Sequence, residues 1–331
     1  MTDKPPFTPA VLFKIIDPYI LMLLSMVVLA SLLPVRGDSA VIAGWIKDAA
    51  IVLLFFLHGA KLSRESIWAG MTAWKVHVAV FATTFAVFPL LGLGAQALLG
   101  ALMDPMMLAG ILFLCLLPST VQSSIAFTAI AGGNVAAAVC SASLSNILGI
   151  VITPALVAIL MQTTGGGVSL EAIGDIALQL LLPFVVGHLL RPWLKGYLDR
   201  HKTLVGRVDR GSILLVVYTA FSASVVEGLW SKVGLSDLGL MFVVNAVLLA
   251  IVMCGTWWVS GRMGLSHEDR VVVLFCGSKK SLASGVPMAG TLFPAAVLGP
   301  VLLPVMLFHQ LQLIVCAFLA PRLKRAGGSA P

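Results

Sequence analysis

The chain has 331 residues, of which 59% are hydrophobic and only 11% charged, with a mean hydropathy of +1.04. A soluble domain needs more polar surface than this, so the composition makes the bilayer the solvent and excludes an ordinary cytosolic protein. The net charge of +7 invites a nucleic-acid reading, but the basic residues gather between apolar runs, and no nucleic-acid partner is expected.

Ten apolar runs, bounded by charges and Gly, Pro or Asn turns, read as transmembrane helices. They lie near residues 13–34, 41–58, 76–99, 106–131, 135–160, 172–192, 211–229, 238–260, 271–293 and 297–320. About 20 residues are needed to cross a ~30 Å hydrocarbon core. The first run is read as a membrane helix rather than a cleaved signal, because Asp17-Pro18 interrupts it and it is long for a signal core. Between Asp104 and Glu171 there is no charge at all, which leaves room for two spans separated by the turn Gly132-Gly133-Asn134. The segment Arg191 to Arg210 reads as a basic loop facing solvent or lipid headgroups.

With the amino terminus in the cytoplasm, sixteen of the 21 Lys and Arg fall on that side, and only Arg36, Lys47 and Lys232 fall outside. The two others lie within the ninth span. The positive-inside rule then places both termini in the cytoplasm of a multi-pass inner or plasma membrane protein. Cut near Thr164-Gly165-Gly166-Gly167, the chain divides into residues 1–163 and 164–331 with five spans each. An odd number per half gives the halves opposite orientation, the inverted repeat of many secondary transporters. The five cysteines, Cys115, Cys140, Cys254, Cys276 and Cys316, all fall within spans. They read as small core residues, neither disulfides nor metal ligands, and no metal site is expected.

The fourth span of each half is interrupted. In the first half, Pro118 removes a backbone donor, and Ser119, Thr120, Gln122, Ser123, Ser124 and Thr128 supply hydroxyls and an amide. In the second, Gly277 and Gly285 permit unwinding and close approach around Ser278, Lys279, Lys280 and Ser281. Apart from the two lysines, no charge stands between Arg270 and Arg322. A lone charge at the centre of a membrane helix costs roughly 2.5 to 3.5 kcal/mol on insertion scales, so such residues face a cavity or a partner. Prolines and glycines are common in membrane helices, and serines often bond back to their own helix. Two breaks at matching positions, one carrying lysines, favour a substrate site at the midplane. Neighbours on a helix point about 100° apart, so one lysine suffices to face it.

Weaker candidates are His309-Gln310-Leu311-Gln312 in the tenth span, and His58 and Asp48, which bracket the second. An enzyme is not expected. Paired membrane aspartates, a His-Glu-x-x-His pattern and a phosphate loop are missing, and a Ser-Lys dyad from Ser278 or Ser281 lacks a nucleophile elbow.

At these residues the chain resembles the bile acid:sodium symporter family, closest to its SBF-like branch. The likeness rests on Pro118 with Ser123-Ser124, on Gly133-Asn134-Val135-Ala136-Ala137-Ala138, on Thr153-Pro154, and on Phe275-Cys276-Gly277-Ser278-Lys279-Lys280-Ser281-Leu282-Ala283. It covers nearly the whole chain. It implies an all-α integral membrane fold of ten transmembrane helices in two inverted five-helix repeats. Spans one, two, six and seven would form a panel domain and spans three to five and eight to ten a core domain, with discontinuous spans four and nine crossing at their breaks.

The resemblance also implies where ions would bind. A glutamate and a glutamine of the ninth span hold sodium in the sodium-coupled branch; here those positions carry Phe275 and Lys279. A third-span glutamine becomes Thr84, a serine-asparagine pair becomes Ser123 and Ser124, and fifth-span ligands fall near Ser141, Ser145 and Asn146. None of the fourteen acidic residues falls centrally in a core span. Sodium needs oxygen ligands and is repelled by an ammonium, so sodium is disfavoured and no cofactor is expected. Three roles stay open for the lysines: replacing the cation, exchanging a proton, or attracting an anionic substrate. The function implied is a secondary active transporter of a small organic anion by alternating access, sodium-independent or proton-coupled. The alternative is a non-transporting membrane regulator on the same fold.

Overall fold

The computed structural model describes residues 18–61, 72–161 and 170–327. Lys4, Lys14, Arg64 and the boundary expected near Thr164 lie outside the described residues. Those residues are helical with no strand among them. The helices are α1 (Pro18–Leu32), α2 (Asp38–Lys61), α3 (Trp74–Leu99), α4 (Pro105–Leu116), α5 (Gln122–Ile130) and α6 (Val135–Leu160). They continue with α7 (Leu170–Arg200), α8 (Lys202–Val226), α9 (Leu235–Arg262), α10 (His267–Gly277), α11 (Leu282–Leu292) and α12 (Leu298–Gly327), besides a one-turn helix at Leu229–Lys232. Among the described residues six, namely α2, α3, α6, α8, α9 and α12, are long and apolar enough to cross a membrane. This is the build of an integral membrane protein.

The few polar residues of this apolar chain are spent at helix ends, where four amides lack intrahelical partners. Asp104 accepts from the amides of Met106 (2.8 Å) and Met107 (3.3 Å), with Pro105 opening α4. Asn134 caps α6 through the Ala137 amide and also donates to Asp269, tying α6 to the start of α10. Ser266 and Ser281 cap α10 and α11.

Helices α1, α2, α7 and α8 pack on one another, while α3 to α6 and α9 to α12 pack around the two interrupted spans. The α2–α7 crossing is held by reciprocal glycines. A Cβ on Gly59 would lie 1.9 Å from the Phe184 carbonyl oxygen, and one on Gly187 would lie 2.0 Å from that of Phe56. Small residues let membrane helices approach to backbone contact, where dispersion and Cα–H contacts replace a hydrophobic drive.

Two expectations are corrected. The segment Arg191 to Arg210 is not a loop: α7 runs to Arg200 through Pro183 and Pro192, and α8 begins at Lys202. Lys, Arg and Leu are strong helix formers, so an amphipathic helix can run on past the hydrocarbon. Of the cysteines, Cys254 is exposed, while the other four are buried. All five are free thiols.

Candidate functional site

Both interrupted spans break where the sequence is least apolar. The fourth is open between Leu117 and Val121, the ninth between Ser278 and Ser281. A broken helix in apolar surroundings frees amides and carbonyls that must find partners within the protein. Here the two breaks answer each other: the Ser281 amide donates to the Pro118 carbonyl (2.9 Å), Ser119 Oγ to the Cys276 carbonyl (2.5 Å) and Ser124 Oγ to the Phe275 carbonyl (3.0 Å).

Neighbouring helices supply the rest. The Ser119 amide donates to Ser145 Oγ (3.1 Å) and the Ser119 carbonyl accepts from Asn146 Nδ2 (2.8 Å), both from α6. On the other side, Gln312 of α12 accepts from the Lys280 amide (2.9 Å) and donates to the Lys280 carbonyl (3.0 Å). Thr153 Oγ1 donates to the Leu116 carbonyl (2.8 Å). Replacing Gln312 by leucine leaves the buried amide and carbonyl of Lys280 unpaired, at about 1–3 kcal/mol per group. A lowered melting temperature, only partly restored by Gln312→Glu, which keeps the acceptor alone, is the expected result.

Three further carbonyls converge on one lysine. Lys280 Nζ donates to the carbonyl oxygens of Thr84 (2.9 Å), Cys115 (2.8 Å) and Leu117 (2.7 Å), and stands 4.1 Å from the centre of the Phe88 ring. Its side chain is fully buried. An ammonium has three N–H donors and no acceptor, so three carbonyls match its charged form, whereas a neutral amine would turn its lone pair on one of them.

The Thr84 carbonyl is free for a local reason. Residues Thr83–Val87 form a π turn, in which the Phe88 amide bonds five residues back to Thr83. The next amide in that register would serve Thr84, but residue 89 is proline and has none. Pro89 therefore leaves an orphan carbonyl in α3, and Lys280 supplies the missing donor.

Lys279 is also buried but less fully bonded: Nζ donates to the Ser123 carbonyl (2.8 Å) and lies 4.1 and 5.4 Å from the ring centres of Phe127 and Phe275. Ammonium over an aromatic face gains further attraction when desolvated.

The expected site residues fall into three groups. Lys279, Lys280, Ser123, Ser124, Thr84 and Asn146 meet at the crossing, Thr84 and Ser123 through their carbonyls to the lysines, and Asn146 by bridging Ser119 and Ser284 Oγ (2.6 Å). Pro118 and Gly277 stand at the breaks. Ser278, Gln122 and Gly285 serve otherwise, while Ser281 meets the other break through its amide on the Pro118 carbonyl. Ser278 Oγ bonds back to the Leu274 carbonyl, Ser281 caps α11, and Gln122 is exposed. Gly285 lies inside α11, where a Cβ would meet the Leu117 side chain at 2.5 Å, so it provides close approach rather than the break. Beside Ser145, His77, Ser141 and neighbouring apolar side chains enclose a cavity of about 10 Å³, with His77 Nδ1 2.7 Å from Ser141 Oγ.

Sequence reasoning missed Phe88, Phe127 and the π turn, and undervalued Gln312 and Ser145. Only Pro89 gave a readable signal, a proline within an apolar run.

Comparison with known proteins places the chain among relatives. The chain is 53% identical over 314 residues to "Putative symporter YfeH" of Escherichia coli, covering 95% of each chain. It is 53% identical over 325 residues to an uncharacterized protein of Pseudomonas aeruginosa, covering 98% of this chain and 95% of the other. It is 26% identical over 279 residues to sodium/bile acid cotransporter 7 of Rattus norvegicus, covering 83% of this chain and 82% of the other. Residues 17–325 match the family profile of SBF-like CPA transporters. With that match spanning nearly its whole length, the chain belongs to the SBF-like CPA transporter family, transporters of the bile acid:sodium symporter type.

Proposed function

We propose that the protein is a secondary transporter of the inner or plasma membrane, with both termini cytoplasmic, that carries a small organic anion by alternating access without binding sodium at the crossing. The observation that carries the reading is the seat of Lys280. Three carbonyls converge at 2.7–2.9 Å on one cationic nitrogen, an arrangement a bound metal cation would otherwise take. Here the cation is covalently tethered.

For Lys279 two roles are weighed, proton exchange and attraction of an anionic substrate, and its surroundings support the second. With one carbonyl acceptor and two aromatic faces, its ammonium keeps donors that a carboxylate or sulfonate can use once the crossing opens. We assign Lys279 to attraction of the substrate and Lys280 to replacement of the ion.

The inverted repeat of residues 1–163 and 164–331 is supported by a correspondence of roles. In each interrupted span one residue at the break has both its amide and its carbonyl bonded by the following span, Ser119 by Ser145 and Asn146, Lys280 by Gln312. We read α1, α2, α7 and α8 as the panel and the other helices as the core that rocks against it. The named roles of the relatives are those of transporters rather than enzymes.

The test is thermal stability of the purified protein against a panel of organic anions, bile acids and sulfonates included, with and without sodium. A ligand of the folded state raises the melting temperature with concentration. The expected result is stabilisation by an organic anion in sodium-free buffer, lost in Lys279→Gln and not produced by neutral analogues. Stabilisation only with sodium would restore an ordinary symporter; no stabilisation and no flux in proteoliposomes would leave a non-transporting regulator.

A further inference from the structure

The carboxyl-terminal end of α7 is longer than a membrane span requires. Its 31 residues reach about 46 Å at 1.5 Å per residue, against a hydrocarbon core of ~30 Å. From Leu180 to Leu190 its exposed side chains are apolar, among them Leu182, Val185, Val186 and Leu189, a wall for lipid tails. At Arg191 the surface changes. Trp193 and Tyr197 are 77% and 52% exposed and lie one helical turn apart, and His201 stacks on Tyr197 with ring centres 4.3 Å apart. Aromatic side chains in such a stripe favour the level of the headgroups.

Beside that stripe stands positive charge. Residues 191–210 hold six Lys and Arg against two Asp. Both carboxylates are engaged, Asp199 with Lys202 at 3.4 Å and Asp209 with Lys61. Arg210 lies over the Tyr19 ring, whereas Arg200 and Arg207 are exposed and make no ion pair among the described residues. By helical spacing Trp193, Tyr197 and Arg200 continue the face of α7 that carries Leu182, Val185, Val186 and Leu189, so the surface is cationic, aromatic-edged and in line with the lipid-facing wall.

We propose that this α7–α8 elbow is a binding surface for anionic phospholipid headgroups of the inner leaflet. Charge selects an anionic partner, and continuity with the apolar wall selects a lipid over a nucleic acid or an acidic protein, since only a lipid presents phosphate at the edge of hydrocarbon. The inference rests on the membrane placement under Proposed function, and on nothing about the substrate.

The experiment compares the full chain in nanodiscs of phosphatidylcholine with nanodiscs that also contain phosphatidylglycerol. The expected result is a higher melting temperature with phosphatidylglycerol, shrinking as salt rises. Arg200→Gln with Arg207→Gln should lose much of the shift, while Arg200→Lys with Arg207→Lys should keep it. Inorganic phosphate at matched ionic strength should not reproduce it. Equal melting temperatures in the two bilayers, a full shift in the glutamine variant, or an equal effect of free phosphate would each overturn the assignment. Failure of the membrane placement would look different, as loss of the folded protein from both kinds of disc.

Discussion

Lys280→Met is expected to lower stability by roughly 3 to 5 kcal/mol, the range for removing one member of a buried charged group from its partners. Methionine keeps most of the stem volume, so the loss comes from the head. The carbonyls of Thr84, Cys115 and Leu117 lose their donor together, and each buried carbonyl left bare costs about 1–3 kcal/mol. Lys280→Ala should cost more, because a cavity is added to the same unpaired carbonyls. Arginine should not substitute, since a planar fork cannot aim three N–H bonds at acceptors that converge on one point. Lys279→Met, with one carbonyl and two ring contacts to lose, should cost about 1–3 kcal/mol. Thermal unfolding of the variants reads the order directly; equal losses at the two lysines would deny Lys280 its special seat.

The second large effect is expected far from the crossing. In Gly59→Ala the new methyl would start 1.9 Å from the Phe184 carbonyl oxygen, and in Gly187→Ala 2.0 Å from that of Phe56. Backbone cannot yield as a side chain does, so α2 and α7 must separate. Overpacking costs about 1–3 kcal/mol where side chains adjust, and more where they cannot. We expect either variant to lose most of its folded yield in detergent. Gly44→Ala, with nothing within 4 Å of its Cβ, is the control, and should be neutral or slightly stabilising through helix propensity. Similar yields for Gly59→Ala and Gly44→Ala would show that the crossing is looser than its glycines imply.

Much of the site was legible because its chemistry is improbable in a bilayer. Two lysines and a proline among serines stand out in apolar runs, and they mark the breaks at Leu117–Val121 and Ser278–Ser281. What composition could not tell is which atom of each residue matters. Thr84 and Ser123 act through backbone carbonyls, and a carbonyl leaves no trace in the residue's identity. Ser278 was chosen for its hydroxyl, which serves its own helix. Gln312 lies 32 positions from the peptide it holds, a distance that only folding closes. The Thr84 carbonyl is freed by the π turn together with Pro89, and neither Pro89 nor Lys280 reveals this alone. At α7 the basic residues mark the end of the hydrocarbon and not the end of the helix, which composition alone does not distinguish.

The most direct test of the tethered cation is a sodium titration of melting temperature at constant ionic strength, with choline as replacement, on the wild-type protein and Lys280→Ala. The wild type should show no saturable response, and Lys280→Ala should gain one, to sodium or to methylammonium, as the three carbonyls take up a free cation. Saturable stabilisation of the wild type by sodium, with Lys280→Ala responding to neither cation, would contradict the account.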